Sequence, residues 1–120
     1  MITMYGIPNC DNIKKARRWL DEHDLPYQFH NYKKDGICEE QLTPWVNQLG
    51  WTVLLNKRGT TWRKLTEQQK SDMHAAKAIA LMCKHSSMIK RPLLLVEQHL
   101  GTGTHIEVGY SEQRYAELFA

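Results

Sequence analysis

The opening strand–helix–strand pattern constrains the fold more than any other stretch. Ile2 to Tyr5 is apolar and strand-like, residues 11–23 are patterned as an amphipathic helix, and Tyr27 to Tyr32 alternates as a second strand. Ile13, Ala16 and Leu20 make the inner stripe of that helix, with Lys14, Lys15, Arg17, Arg18, Asp21 and Glu22 outside. Leu25-Pro26 ends the helical region. Such a βαβ unit implies parallel strands joined by a right-handed crossover. Between strand and helix lies Gly6-Ile7-Pro8-Asn9-Cys10-Asp11. A thiol at that junction sits among unpaired backbone N–H groups at the positive end of the helix dipole. Thiolates so placed can have pKa values lowered from roughly 8.5 to about 3.5–7.5. Cys10 therefore reads as an activated nucleophile. The competing reading, a buried cysteine acting as a small hydrophobe, is opposed by Pro8 and Asn9, which favour a surface turn.

Downstream, Lys33-Lys34-Asp35-Gly36 is a polar turn. Leu42, Trp45, Val46 and Leu49 have helical spacing with Gly50 as the stop. Pro44 leaves two possibilities: a helix starting at Thr43 with Pro44 in its first turn, or an earlier start with a kink. Trp51 to Leu65 is irregular and rich in aromatic and guanidinium groups, and Thr66-Glu67-Gln68-Gln69 fits a capping box opening a helix near Glu67. Ala76, Ile79, Ala80 and Cys83 form a helical stripe between about Asp72 and Lys84. Leu93 to Val96 reads as a buried strand after Lys90-Arg91-Pro92, Gly101 to Gly103 as a turn, and Thr104 to Val108 as a strand. Ser111 caps a last helix bearing Tyr115, Leu118 and Phe119. The order is βαβ, a helical middle, a β-hairpin and a final helix: an α/β domain with a mixed sheet, of thioredoxin-like order.

The 120 residues and net charge of +3 fit one domain, residues 1–120, with a single core. No apolar run reaches the length of a membrane span, and the turn at Gly6 comes too early for a signal peptide. Cys10, Cys38 and Cys83 are too far apart for a disulfide framework or a paired zinc motif, and they suit a reducing cytoplasm. Charges of both signs are interspersed along the chain, which argues against a nucleic-acid partner. The six histidines show no ligand spacing, so no metal is expected.

A lone nucleophilic cysteine needs cationic help, because guanidinium groups bind oxyanions bidentately and favour an adjacent thiolate. Arg91, before Pro92 at the entry to the apolar strand, is the foremost candidate; the plainer reading is an edge arginine. Arg58 lies in Asn56-Lys57-Arg58-Gly59-Thr60-Thr61-Trp62, which reads equally as an anion-binding loop or as a structural loop with Trp62 in the core.

Three segments together, Gly6 to Asp11, Leu54 to Leu65 and Ile89 to Leu93, resemble the glutaredoxin-type arsenate reductase (ArsC) and Spx superfamily, most of all its YffB branch. The match covers essentially the whole chain. The resemblance implies a thioredoxin-like fold with a four-stranded mixed sheet and a helical insertion over about 38–88. It also implies catalysis by Cys10, a cis bond before Pro92, and glutathione as the thiol co-substrate with no bound cofactor. Arg91 and Arg58 match two of the three arginines that hold the oxyanion in arsenate reductases. The third falls in Val108-Gly109-Tyr110-Ser111, where this chain has none. Losing a charge-assisted hydrogen bond of roughly 1.5–3 kcal/mol disfavours arsenate as substrate. Spx relatives bind RNA polymerase and sense oxidation through Cys-x-x-Cys; here the second cysteine is replaced by Ile13, so that switch cannot form.

The expectation is thus a cytoplasmic, glutathione-dependent thiol oxidoreductase acting on an oxidised thiol or oxyanion. Cys10 and Arg91 would be catalytic, while Asn9, Asn12, Arg58 and Pro92 would line the binding site. Arsenate reduction proper and a non-enzymatic polymerase-binding role are the alternatives. Cys83 reads as core, and Cys38 as an exposed thiol able to resolve an oxidised Cys10.

Overall fold

The computed structural model describes residues 1–97 and 104–119. The expected turn at Gly101 to Gly103, and His99, lie outside the described residues. The chain forms two compact units, Met1–Asp35 with Arg91–Ala120, and Gly36–Lys90. The second unit spans the stretch where the helical insertion is expected.

The first unit is built on a four-stranded sheet of order β2-β1-β3-β4. Strands β1 (Ile2–Gly6) and β2 (Gln28–Asn31) are parallel, joined through α1 (Asp11–Glu22), as the opening pattern requires. Strands β3 (Leu93–Glu97) and β4 (Thr104–Val108) complete the sheet, β3 antiparallel to both β1 and β4. Alternation along β1 sends Ile2 and Met4 to one face. There they join Ile13, Ala16, Trp19 and Leu20 of α1, Leu94 of β3, and Tyr115 of α8 (Glu112–Leu118) in one buried cluster. Both helices therefore cover the same face of the sheet. Trp19 and Tyr115 meet edge to face, with ring centroids 5.5 Å apart. Ser111 caps α8 by accepting the Arg114 N–H at 3.3 Å.

Two local expectations are corrected in this unit. Arg17 does not simply project into solvent: its guanidinium lies 4.6 Å from the Phe29 ring centroid and donates to the Tyr27 hydroxyl at 3.0 Å, strapping α1 to edge strand β2. The polar turn after Tyr32 is a single helical turn, α2 (Tyr32–Asp35), which also buries Tyr32. Lys33 donates its N–H to Asn31 Oδ1 at 3.0 Å, so a side-chain acceptor at the strand end starts the turn as helix.

The second unit is helical. It contains α3 (Glu39–Leu49), α4 (Trp51–Leu54), α5 (Thr60–Arg63), α6 (Glu67–Lys70), α7 (Ala75–Lys84) and a 3₁₀ turn at Ser86–Met88. Helices α3, α4 and α7 pack on one another. Of the two starts open for α3, the early one holds: Cys38 is the N-cap and Pro44 lies inside the helix. Gly50, at φ +91°, ends α3 and begins α4 in a conformation that a side chain would strain. The capping box at Thr66 and Gln69 is present, with both reciprocal bonds made, at 2.8 and 3.1 Å. The inner face of α7 differs from the expected one. Ala78, Ile79 and Met82 are buried, Cys83 is half-buried, and Ala76 and Ala80 face solvent. Ile79 and Met82 carry far more apolar area than the alanines, so they decide which way the helix turns.

Candidate active site around Cys10

Gly6 ends β1 and Ile7 is buried just beyond it. The Cys10 N–H donates to the Ile7 carbonyl at 3.3 Å, closing the Pro8-Asn9 turn, and the Cys10 carbonyl accepts the Lys14 N–H at 3.1 Å as the first bond of α1. Cys10 is therefore the N-cap residue, in extended conformation. Helix geometry leaves the N–H groups of the first turn without intrahelical acceptors, and they lie next to this residue. The thiol is half-buried and packs on the rim of the main core cluster, so the two readings of Cys10 meet in one position. Asn9 and Asn12, on either side, are exposed.

The register of the sheet places the other half of the site. Tyr5 is paired with Leu93, so the residues just before Leu93 lie at the same end of the sheet as Gly6 and the Cys10 turn. Those residues are Arg91 and Pro92, joined by a cis peptide bond. Pro92 is buried and its carbonyl accepts the Gly109 N–H at 2.8 Å, tying the turn to the end of β4; Arg91 is half-buried. The first unit thus gathers Cys10, Asn9, Asn12, Arg91 and Pro92 at one end of the sheet.

Residues that the sequence did not single out stand behind Arg91. Tyr5, His30 and Tyr32 form an aromatic group with centroids 4.8–6.1 Å apart. The Tyr32 hydroxyl is buried with no hydrogen-bond partner among the described residues. Burial drives its pKa well above the ordinary tyrosine value, the neighbouring Tyr5 adds to this, and the Arg91 charge opposes it. The usable signal was the parallel register, which sets Tyr5 opposite His30.

Arg58 belongs to the second unit. It is exposed, and its N–H donates to Asn56 Oδ1 at 3.1 Å. Trp62 is half-buried, with the Lys57 and Lys70 ammonium groups each 5.6 Å from its ring centroid. The reading of this loop as structural with Trp62 in the core does not hold, since the indole is only half-buried. Cys38 is exposed at the start of α3, and Cys83 sits in the last turn of α7. Arg114, the arginine closest in sequence to the empty stretch at 108–111, is held by Glu107 at 3.1 Å and by Glu117 at 3.4 Å. Among the described residues no cluster of three or more metal-ligating side chains occurs.

A family model described as the ArsC family matches residues 5–118. The chain belongs to the ArsC family. A solved YffB protein is 49% identical, with a TM-score of 0.88 and full coverage of both chains. The solution structure of an arsenate reductase (ArsC) related protein from Brucella melitensis is 43% identical, with a TM-score of 0.73 over 98% of this chain and 93% of that one. The global transcriptional regulator Spx of Listeria innocua is 28% identical over 93% of this chain and 82% of its own length. The thioredoxin-like α/β fold of the ArsC family is therefore the fold of this chain. Likeness to both reductase-related proteins and a transcriptional regulator frames the question of what Cys10 does.

Proposed function

We propose that this ArsC-family protein is a glutathione-dependent thiol reductase with Cys10 as its nucleophile. The observation that carries the reading is the placement of Cys10 as the N-cap of α1, at the sheet end where the cis Arg91–Pro92 turn also lies. The Cys10 thiolate attacks an electrophilic sulfur of an oxidised substrate, and the sulfur–sulfur bond of that substrate breaks to release a thiol. Glutathione thiolate then attacks the mixed disulfide, and further thiol exchange regenerates Cys10 and leaves oxidised glutathione. Arg91 holds the thiolate or a glutathione carboxylate. Asn9 and Asn12 donate hydrogen bonds near the sulfur, and Pro92 shapes the floor beside it.

The test is mass-detected glutathionylation at Cys10 with oxidised glutathione, together with turnover of a glutathione mixed-disulfide substrate. Turnover should vanish in Cys10→Ser. It should fall roughly ten- to a hundredfold in Arg91→Lys, the kinetic equivalent of one charge-assisted hydrogen bond. Wild-type levels of turnover in Cys10→Ser would refute the reading.

The relation to Spx supports a second reading, a non-enzymatic adaptor of RNA polymerase. Its mark would be co-purification with polymerase undiminished in Cys10→Ala, alongside no thiol turnover. Arsenate reduction proper is disfavoured: no arginine stands at 108–111, and Arg114 is already held by two carboxylates.

A further inference from the structure

The positive charge of this chain is concentrated in its helical unit. Residues 36–90 hold eight Lys and Arg against four Asp and Glu, while the rest of the chain holds eight against nine. Within that unit the excess gathers in one stretch: residues 51–70 contain Lys57, Arg58, Arg63, Lys64 and Lys70, with Glu67 as the lone carboxylate. The stretch is tied down locally. Asn56 donates its N–H to the Met88 carbonyl at 2.7 Å, and the Thr61 and Ser87 hydroxyls share a hydrogen bond of 2.6 Å. Two of the cations are held on indoles. The Lys57 ammonium lies 5.7 Å from the Trp51 ring centroid and 5.6 Å from that of Trp62, and the Lys70 ammonium is also 5.6 Å from Trp62. Two like charges therefore share one ring. Glu67 stands three residues before Lys70 in α6, the spacing of a helical ion pair. Yet among the described residues no ion pair includes Glu67 or any of the five cations.

We propose that residues 51–70 form a docking surface for an acidic polypeptide segment, with the ammonium groups of Lys57 and Lys70 as its fixed centre. Charge complementarity names the occupant. Cations left without carboxylates inside the protein are open to carboxylates from outside it, and like charges on one ring lose their repulsion when an anionic chain lies across them. A lysine already held over an indole gives up less rotamer freedom on binding than a free one. An ammonium group is a point charge with rotatable donors, which suits the varied carboxylate positions of a Glu- or Asp-rich chain. Single-stranded nucleic acid fits less well. It binds basic grooves by stacking its bases on aromatic faces, and here lysines stand over both indoles. This recognition involves neither Cys10 nor any covalent step.

The experiment uses full-length Cys10→Ser protein and follows the fluorescence anisotropy of a fluorescein-labelled oligoglutamate peptide. The peptide should bind at physiological ionic strength and bind more weakly as salt is raised. Lys57→Gln with Lys70→Gln should weaken binding roughly tenfold or more. Lys14→Gln with Lys15→Gln removes the same charge from α1 and should change it by less than about twofold. Lys57→Arg with Lys70→Arg keeps both charges and their ring contacts, and should bind as the parent protein does. The proposal is overturned if the two glutamine pairs weaken binding equally, since net charge alone would then account for it, or if the arginine pair binds as weakly as Lys57→Gln with Lys70→Gln. It is also overturned if the peptide does not bind at physiological ionic strength, or if a single-stranded oligonucleotide of the same charge binds more tightly. Because Cys10 is absent throughout, failure here leaves the proposed chemistry of Cys10 standing, and success does not depend on it.

Discussion

At the scale of single residues, the ground around Cys10 is set by two positions with no reactive chemistry of their own. Gly6 is buried, and a Cβ placed there would run into the Cδ1 of Ile13, itself fully buried under the sheet. Gly6→Ala should cost about 1–3 kcal/mol, the usual range for overpacking, read as a lower urea midpoint. An unchanged midpoint would mean Ile13 has room to swing aside. Tyr32 presents the opposite case, since its buried hydroxyl lacks a partner among the described residues. An unpartnered buried hydroxyl costs roughly 1–3 kcal/mol, so Tyr32→Phe should leave the midpoint unchanged or raise it. A clear loss of stability would show that the hydroxyl is bonded in solution. Tyr32 escaped the reading of the sequence because a tyrosine ending an alternating strand says nothing of burial; its depth follows from the turn that α2 makes after β2. The positions of Cys10, Arg91 and Pro92 at the strand ends were legible because each is marked locally, by a strand–turn–helix junction or an Arg-Pro dipeptide before an apolar run.

At the scale of elements, legibility followed how much apolar area defines a face. Helix α1 was read correctly on its inner stripe because Ile13, Ala16 and Leu20 stand against a nearly unbroken row of charges. Helix α7 was read about one residue out of phase, since a periodicity that weighs alanine equally with methionine cannot choose between Ala76-Ala80 and Ala78-Met82. For α3, Pro44 pulled in both directions, and packing against α7 and α4 outweighed the missing N–H. Caps were the most legible feature, because their bonds are local. Ser111 illustrates what one is worth: it starts the short helix that delivers Tyr115 to the core. Ser111→Ala should destabilise the first unit by about 0.5–2 kcal/mol, with faster hydrogen exchange at the Arg114 amide. Equal exchange rates would show that water replaces the cap without loss.

At the scale of the whole molecule, ionisation links the native state to the alkaline side of the pH range. Burial raises the pKa of Tyr5, Tyr32, Tyr110 and Tyr115 above 10.0, and raises that of Cys83 above 9.0. Each group thus holds its proton more tightly folded than unfolded, so the unfolded state releases protons first and stability must fall as pH rises. The contribution of each is fully present below its unfolded pKa and is lost progressively above it. Stability carried by these groups should therefore be level through neutrality, begin to decline near pH 9 with Cys83, and decline more steeply past pH 10 with the tyrosines. The tyrosines all belong to the first unit and Cys83 to the second, so the two parts of the decline separate by mutation. Cys83→Ser should remove the earlier, shallower part. Tyr32→Phe combined with Tyr115→Phe should flatten the later one, because these two are the most deeply buried of the four. Urea midpoints followed from neutral to alkaline pH measure both. An alkaline slope identical in wild type and the double phenylalanine variant would mean that other groups, such as lysines, drive alkaline unfolding and that the buried tyrosines are not its cause.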